Sequence, residues 1–237
     1  MRKASNRNLY AYNSLINTGN KRFFVLSLSF SVFRAIALYR RFVAMSKLVW
    51  VDCEMTGLGV PGGVGKDRLL EIAVIVTDSD LSNGRKGPNL IIHQTPEVLA
   101  SMNDWCKNQF GYNPNGQHEV GKLAHDVTLS TVTEADAERQ IIEFVSQHVE
   151  PGKGLLSGNS VHADKRFLEA YMPNFMKYLH YRILDVSTVK EICSRWYPED
   201  FGKAPPKANK HRALDDIEAS IDELKFYRSA IFKPSVI

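Results

Sequence analysis

The sequence predicts a mixed α/β domain in which a five-stranded sheet is flanked by helices. Three β-rich apolar runs in the first half are joined by links too short for crossover helices, and the second half alternates short apolar runs with helical periodicity. At 237 residues, 44% hydrophobic and 24% charged, the chain suffices for one sizeable core.

The leader stands apart. Eight of the 30 Lys and Arg fall in residues 1–45, which contain no Asp or Glu. That is the composition of a mitochondrial presequence. Two other readings stay open. The apolar run Phe23–Phe33 has the character of a signal-peptide core or anchor, although Arg34 breaks it after about eleven residues, short of the roughly 20 of a spanning helix. Alternatively the segment is an upstream extension and translation starts at Met45. A presequence implies the mitochondrial matrix, a start at Met45 the cytoplasm. Either way residues 1–45 read as targeting or disordered sequence and residues 46–237 as one domain. In that domain the remaining 22 basic residues face 26 acidic ones, a net charge of −4. An anionic substrate must therefore be held by local cations and metal, not by a general basic surface. Cys53, Cys106 and Cys193 are odd in number and far apart. They argue against a disulfide framework or zinc cluster and suit a reducing compartment.

The first strand begins Leu48-Val-Trp-Val51, a buried pleat, and ends in two acids. Alternation places Asp52 and Glu54 on one face and Cys53 on the other. Two adjacent acids at the end of a core strand repel each other and are costly to desolvate, so a cation between them is expected. Asp-x-Glu is also common by chance. The following Gly57-Leu-Gly-Val-Pro-Gly-Gly-Val-Gly-Lys66 is no phosphate loop: Val60 stands where its first Gly belongs, and Asp67 replaces the Ser or Thr after Lys66. It reads as a flexible turn into a second strand, Arg68–Thr77. The polar residues Asp78–Asn89 then lead to a third strand, Leu90–His93, antiparallel to its neighbour because the link is short, which disfavours a Rossmann sheet.

Helices are expected over Glu97–Lys107 and Glu134–Val149, the latter from the spacing of Ile141, Ile142, Val145 and Val149. The polar stretch Asn108–Thr133 receives no assignment. A fourth strand, Leu155–Asn159, precedes a helix over Asp164–Tyr171 that Pro173 helps end. A fifth strand, Arg182–Val186, precedes a helix over Ser187–Trp196 with Ser187 as N-cap. The last helix runs from about Arg212 to Ala230. Its apolar face is Leu214, Ile217, Ile221, Leu224 and Tyr227. At about 100° per residue, Asp216 lies roughly 100° from the centre of that face and Asp215 roughly 160°, so Asp216 reaches inward and Asp215 is solvated. Singly, Asp164 in a first turn or His211 beside a helix start is ordinary capping chemistry. The ordered set, Asp-x-Glu after strand one, Asp after strand four and His-x-x-x-x-Asp on the last helix, is not.

Four segments carry a resemblance: Val51-Asp-Cys-Glu-Met-Thr-Gly-Leu58, Gly158-Asn-Ser-Val-His-Ala-Asp-Lys-Arg-Phe-Leu168, Tyr181-Arg-Ile-Leu-Asp-Val-Ser-Thr-Val-Lys-Glu191 and His211-Arg-Ala-Leu-Asp-Asp-Ile217. Together they resemble the oligoribonucleases, a family of the DEDDh exonuclease superfamily, from about Lys47 to Phe232. The departures are extra glycine-rich residues between Leu58 and Asp67 and a longer polar segment near Gly111–His125. The resemblance implies an RNase H-like fold and two divalent cations, Mg²⁺ or Mn²⁺, held by Asp52, Glu54, Asp164 and Asp216, with His211 as general base. Hard oxygen ligands suit those ions. A pair of ions about 3.5–4 Å apart suits phosphodiester hydrolysis, and imidazole, with an ordinary pKa of about 6.5, suits proton removal near neutrality.

The expected reaction is 3′→5′ hydrolysis of very short RNA to nucleoside 5′-monophosphates. By the same resemblance Leu58 and Trp105 meet the bases, Tyr181 completes the pocket from the second subunit of a homodimer, and Arg182, Ser187 and Thr188 receive a 5′-phosphate. Stable membrane association is not expected. Two alternatives remain: a DEDDh exonuclease acting on longer RNA or DNA 3′ ends, and a non-catalytic RNA-binding protein.

Overall fold

The computed structural model describes residues 46–59, 61, 67–206 and 211–233, within a compact unit Met45–Ile237. The leader expectation for residues 1–45, much of the glycine-rich turn and part of the loop before His211 lie outside the described residues. Among the described residues, no helix is long and apolar enough to cross a membrane.

Five strands, β1 (Lys47–Met55), β2 (Leu69–Asp78), β3 (Arg85–Ile91), β4 (Gly154–Gly158) and β5 (Ile183–Asp185), form one sheet in the order β3-β2-β1-β4-β5. As expected, β1–β2 and β2–β3 are antiparallel. The β1–β4 and β4–β5 pairs are parallel. β1 is therefore central and buried on both faces, which explains its unbroken apolar start. Val49, Val51, Cys53 and Met55 join one core with α4 (Glu134–Ser146), α5 (His162–Tyr171) and α6 (Pro173–Tyr178). Leu48 and Trp50 join another with α7 (Val186–Trp196) and α9 (Ala213–Ala230). A third core packs Leu70 against α1 (Pro96–Ala100), α2 (Asp104–Gln109) and α3 (Leu123–Leu129). A short α8 (Pro198–Phe201) follows α7.

Several boundaries differ from expectation. β3 begins at Arg85, not Leu90, because backbone pairing with β2 overrides the polar composition of Arg-Lys-Gly-Pro-Asn. The helix expected over Glu97–Lys107 is two, since Asn103 caps α2 by accepting a hydrogen bond from Cys106 N–H at 2.8 Å. α3 lies in the stretch left without assignment, where Leu123, Ala124 and Val127 supply a short buried face. Pro173 does not only end α5; it is the first residue of α6, a position where its missing N–H costs nothing. The N-cap of α7 is Asp185, not Ser187, whose N–H it accepts at 3.0 Å.

Candidate active site

The acidic end of β1 is shaped by where its neighbour stops. β4 pairs only with Lys47–Trp50, so beyond that point β1 keeps β2 on one side and is no longer paired with β4 on the other. Gly158 lets the chain leave β4 tightly: a Cβ there would sit 2.8 Å from the Val51 carbonyl oxygen. The chain then turns into α5, whose first turn carries Asp164. Asp164, 5% exposed, accepts a hydrogen bond from Cys53 N–H at 2.9 Å. It thereby takes the ladder position β4 has vacated, between Asp52 and Glu54 in sequence.

From the other side α9 supplies Asp216. The angular argument holds: Asp215 is exposed and Asp216 half-buried. One oxygen each of Glu54 and Asp216 and a ring nitrogen of His211 lie within 4.8 Å of one another. His211 precedes the N-cap Arg212 and has φ +50°, the left-handed region that histidine enters more readily than most residues.

Electrostatics agree with this geometry. Burial foremost, then the charges of Asp164, Glu54, Asp216 and Glu71, push the Asp52 carboxyl well above its ordinary range. Burial, followed by Asp216, Glu71 and Asp164, raises Glu54 to about 8, with Arg212 opposing. Burial raises Asp164 to about 7 despite the hydrogen bond from Cys53, which favours its ionised form. Carboxylates that disfavour each other's charge, all hard oxygen donors beside one imidazole, form a donor set that fits a divalent cation.

Some members of the site escaped the sequence reading. Glu71 lies opposite Glu54 in the β1–β2 register and is fully buried. Arg212 forks onto it, Nε to Oε2 at 3.1 Å and Nη2 to Oε1 at 3.3 Å, and its Nη1 lies 3.6 Å from Asp126 on α3. The residue after His211 is thus tied to β2 and to the unassigned stretch. A lone Glu inside Leu-Leu-Glu-Ile-Ala was the available signal, since a buried carboxylate needs a partner. Asn159 is a second omission. Its Nδ2 donates to Ser220 Oγ at 2.8 Å and Glu223 Oε2 at 3.0 Å, and Ser220 Oγ donates to the Asp216 carbonyl at 2.7 Å.

The residues expected to meet substrate fall into three places. Trp105 stands edge-to-face with His211, ring centres 5.3 Å apart, held there by the third core and by Cys106 Sγ, 3.8 Å from the Met55 carbonyl at the end of β1. Leu58 is on the turn leaving β1. Ser187 lies in the first turn of α7 and meets a missed residue, Ser160, whose N–H donates to Asp185 Oδ1 at 2.9 Å and to Ser187 Oγ at 3.1 Å. Thr188 and Arg182 are exposed. Tyr181 is not brought to the acidic cluster of its own chain. It stacks on His180 at 4.5 Å, and the Arg182 guanidinium lies 5.4 Å from its ring centre.

Residues 49–224 match the family model described as exonuclease, so the chain belongs to a class of divalent-cation-dependent hydrolases. The chain is 55% identical over 187 residues to a protein of Mus musculus named mitochondrial oligoribonuclease, covering 79% of this chain and 74% of that one. The Homo sapiens protein of the same name is 53% identical over 190 residues, covering 80% and 75%. The chain belongs to the oligoribonuclease family and is a 3′–5′ exoribonuclease. E. coli exonuclease I, solved in complex with a dA16 oligonucleotide, superimposes with a TM-score of 0.56 at 17% identity over 78% of this chain and 41% of that one. The chain spans about two fifths of that enzyme's length, and the likeness establishes the RNase H-like fold alone.

Proposed function

We propose that the protein removes nucleoside 5′-monophosphates from the 3′ end of very short RNA, dinucleotides above all. Asp52, Glu54, Asp164 and Asp216 hold two divalent cations, Mg²⁺ or Mn²⁺. When bound, the ions lower the pKa of water and offset charge on the reacting phosphodiester. His211 accepts the proton of the attacking water; the water oxygen bonds to phosphorus, the bond to the 3′-oxygen breaks, and that oxygen takes up a proton as the nucleotide departs with its 5′-phosphate. Burial of Asp164 and of Glu54, 5% and 9% exposed, keeps competing water low and strengthens every charge in the site.

Leu58 and Trp105 support the bases, Tyr181 reaches the site from the partner in a homodimer, and Arg182, Ser187 and Thr188 receive the 5′-phosphate. Stacking of this kind tolerates any base. The observation that carries the reading is the convergence of Glu54, His211 and Asp216 within 4.8 Å, with the Trp105 ring 5.3 Å from that of His211. The names of the Mus musculus and Homo sapiens relatives support a mitochondrial site of action for this chain, with residues 1–45 as presequence and residues 46–237 as exonuclease domain. The deciding assay compares a 5′-phosphorylated dinucleotide with RNA of about twenty nucleotides, with and without Mg²⁺. The dinucleotide is expected to be cleaved faster, and only with the ion. Preference for the long strand contradicts the substrate proposal.

A further inference from the structure

The turn carrying Leu58 leaves β1 at Thr56, and Asp67 stands on its returning arm two residues before β2; both arms converge on the Asp67 carboxylate. Thr56 Oγ1 donates to Asp67 Oδ1 at 2.9 Å, and Gly59 N–H donates to Asp67 Oδ2 at 2.8 Å. The two arms are also joined directly: Thr56 N–H donates to the Arg68 carbonyl and Arg68 N–H to Thr56 Oγ1, each at 3.0 Å. Thr56 is 1% exposed, so this pairing is sheltered from water.

Asp67 is itself anchored. Tyr171 of α5 donates its hydroxyl to the Asp67 carbonyl at 2.5 Å. The neighbouring Arg68 forks onto Glu134 of α4, at 3.0 and 2.5 Å, and lies 4.8 Å from the Tyr171 ring centre. The flanking glycines fit this arrangement: a Cβ at Gly57 or Gly59 would meet the Asp67 carboxylate at 2.8 and 2.7 Å. Leu58 thus has a backbone fixed on either side while its side chain is 67% exposed, the arrangement of a surface contact held ready.

We infer that Asp67 is a positioning residue for substrate: its carboxylate clasps Thr56 and Gly59 and so fixes Leu58 where a base meets it. The inference rests on the proposed role of Leu58. It also explains how the glycine-rich departure from the family pattern is compatible with the same chemistry. The clasp closes the chain on both sides of residues 60–66, so their number does not alter where Leu58 stands.

The test uses the full chain, a 5′-phosphorylated dinucleotide and Mg²⁺. Asp67→Ala keeps neither bond, whereas Asp67→Asn can still accept from Gly59 N–H and donate its amide to Thr56 Oγ1. Asp67→Ala should raise KM about tenfold with kcat changed less than about threefold, and Asp67→Asn should raise it less. Thr56→Val, which removes the hydroxyl and not the carboxylate, should shift KM in the same direction. The double variant Leu58→Ala/Asp67→Ala should have a KM within about twofold of Leu58→Ala alone, since both changes act through one side chain. A loss in kcat equal to the rise in KM, or additive effects in the double variant, overturns the inference. Hydrogen exchange separates the clasp from the role of Leu58. In Asp67→Ala, residues 57–59 should exchange about tenfold faster while β1 is unchanged, and unchanged exchange at 57–59 overturns the clasp. If Leu58→Ala leaves KM unaltered while exchange accelerates, the base-contact role of Leu58 fails and Asp67 is not a positioning residue for substrate.

Discussion

The acidic half and the substrate half of the candidate site are built on opposite plans. Asp52, Glu54, Asp164 and Asp216 come from a central strand and two helices. Glu54 and Asp164 are 9% and 5% exposed, and Glu71, Arg212 and Asp126 brace the site from behind. Leu58, Trp105 and Tyr181 are 67%, 57% and 76% exposed, on turns and a short helix. If these carboxylates carry the proposed chemistry, it is preset by the fold, because an error of an ångström there is costly. On the proposed reading, recognition is left to surfaces that a substrate, or a second copy of the chain, would complete. Damage to the first half should fall on kcat and damage to the second on KM.

The largest expected effect is in the acidic half. On the proposed mechanism Asp164→Asn or Asp216→Asn removes a cation-binding charge with little change of shape, and should lower kcat for a dinucleotide about a thousandfold. KM should move far less, and an equal rise in KM breaks the contrast. Next come Trp105→Ala and Leu58→Ala. Loss of a contact worth about 1–3 kcal/mol, as base stacking on Trp105 is, raises KM by about fivefold to a hundredfold, with kcat nearly kept. Tyr181→Ala should behave alike, and mixing it with Asp164→Asn should restore low-KM activity if Tyr181 acts across a dimer. No recovery from mixed, exchanged subunits argues against that arrangement, as does full activity from a monomer in sedimentation.

The remaining expected effect is on stability. Glu54 and Asp164 bind protons more tightly in the fold, at about 8 and about 7, than at their ordinary 4.5 and 3.8. The folded state then holds more protons than the unfolded one between those limits, and stability falls as pH rises. In chelator the thermal midpoint should drop from pH 4.5 toward 8, and Mg²⁺ or Mn²⁺ should recover more of it at the upper end. A midpoint that is flat in chelator, or equally raised by Mg²⁺ at both ends, argues that these carboxyls do not share a cation.

Much of the sheet was legible in the sequence because β1 and β2 are apolar enough to announce themselves, and the link between them is too short for a crossover. β3 was not, since Arg-Lys-Gly-Pro-Asn becomes strand only by pairing with β2. The inward turn of Asp216 was legible from helical spacing alone. Ser187 was misread as a cap because Asp185 and Ser187 are both capping residues, and only the backbone geometry, with Asp185 outside the helix, separates them. The brace of Glu71, Arg212 and Asp126 was illegible for a different reason. Its three members are 141 and 86 residues apart along the chain from Arg212, and no local pattern reports a contact of that range.

The central claim is that the carboxylates at the end of β1 form one cradle for divalent cations. Calorimetric titration of Mn²⁺ into the intact protein at pH 7, in buffers of different ionisation enthalpy, tests it most directly. Saturable binding of two ions with net release of protons is predicted, because Glu54 at about 8 and Asp164 at about 7 are partly protonated before the ions arrive. Asp164→Asn should weaken that binding. Mn²⁺ binding that releases no protons, or that Asp164→Asn and Asp216→Asn leave unchanged, contradicts the claim.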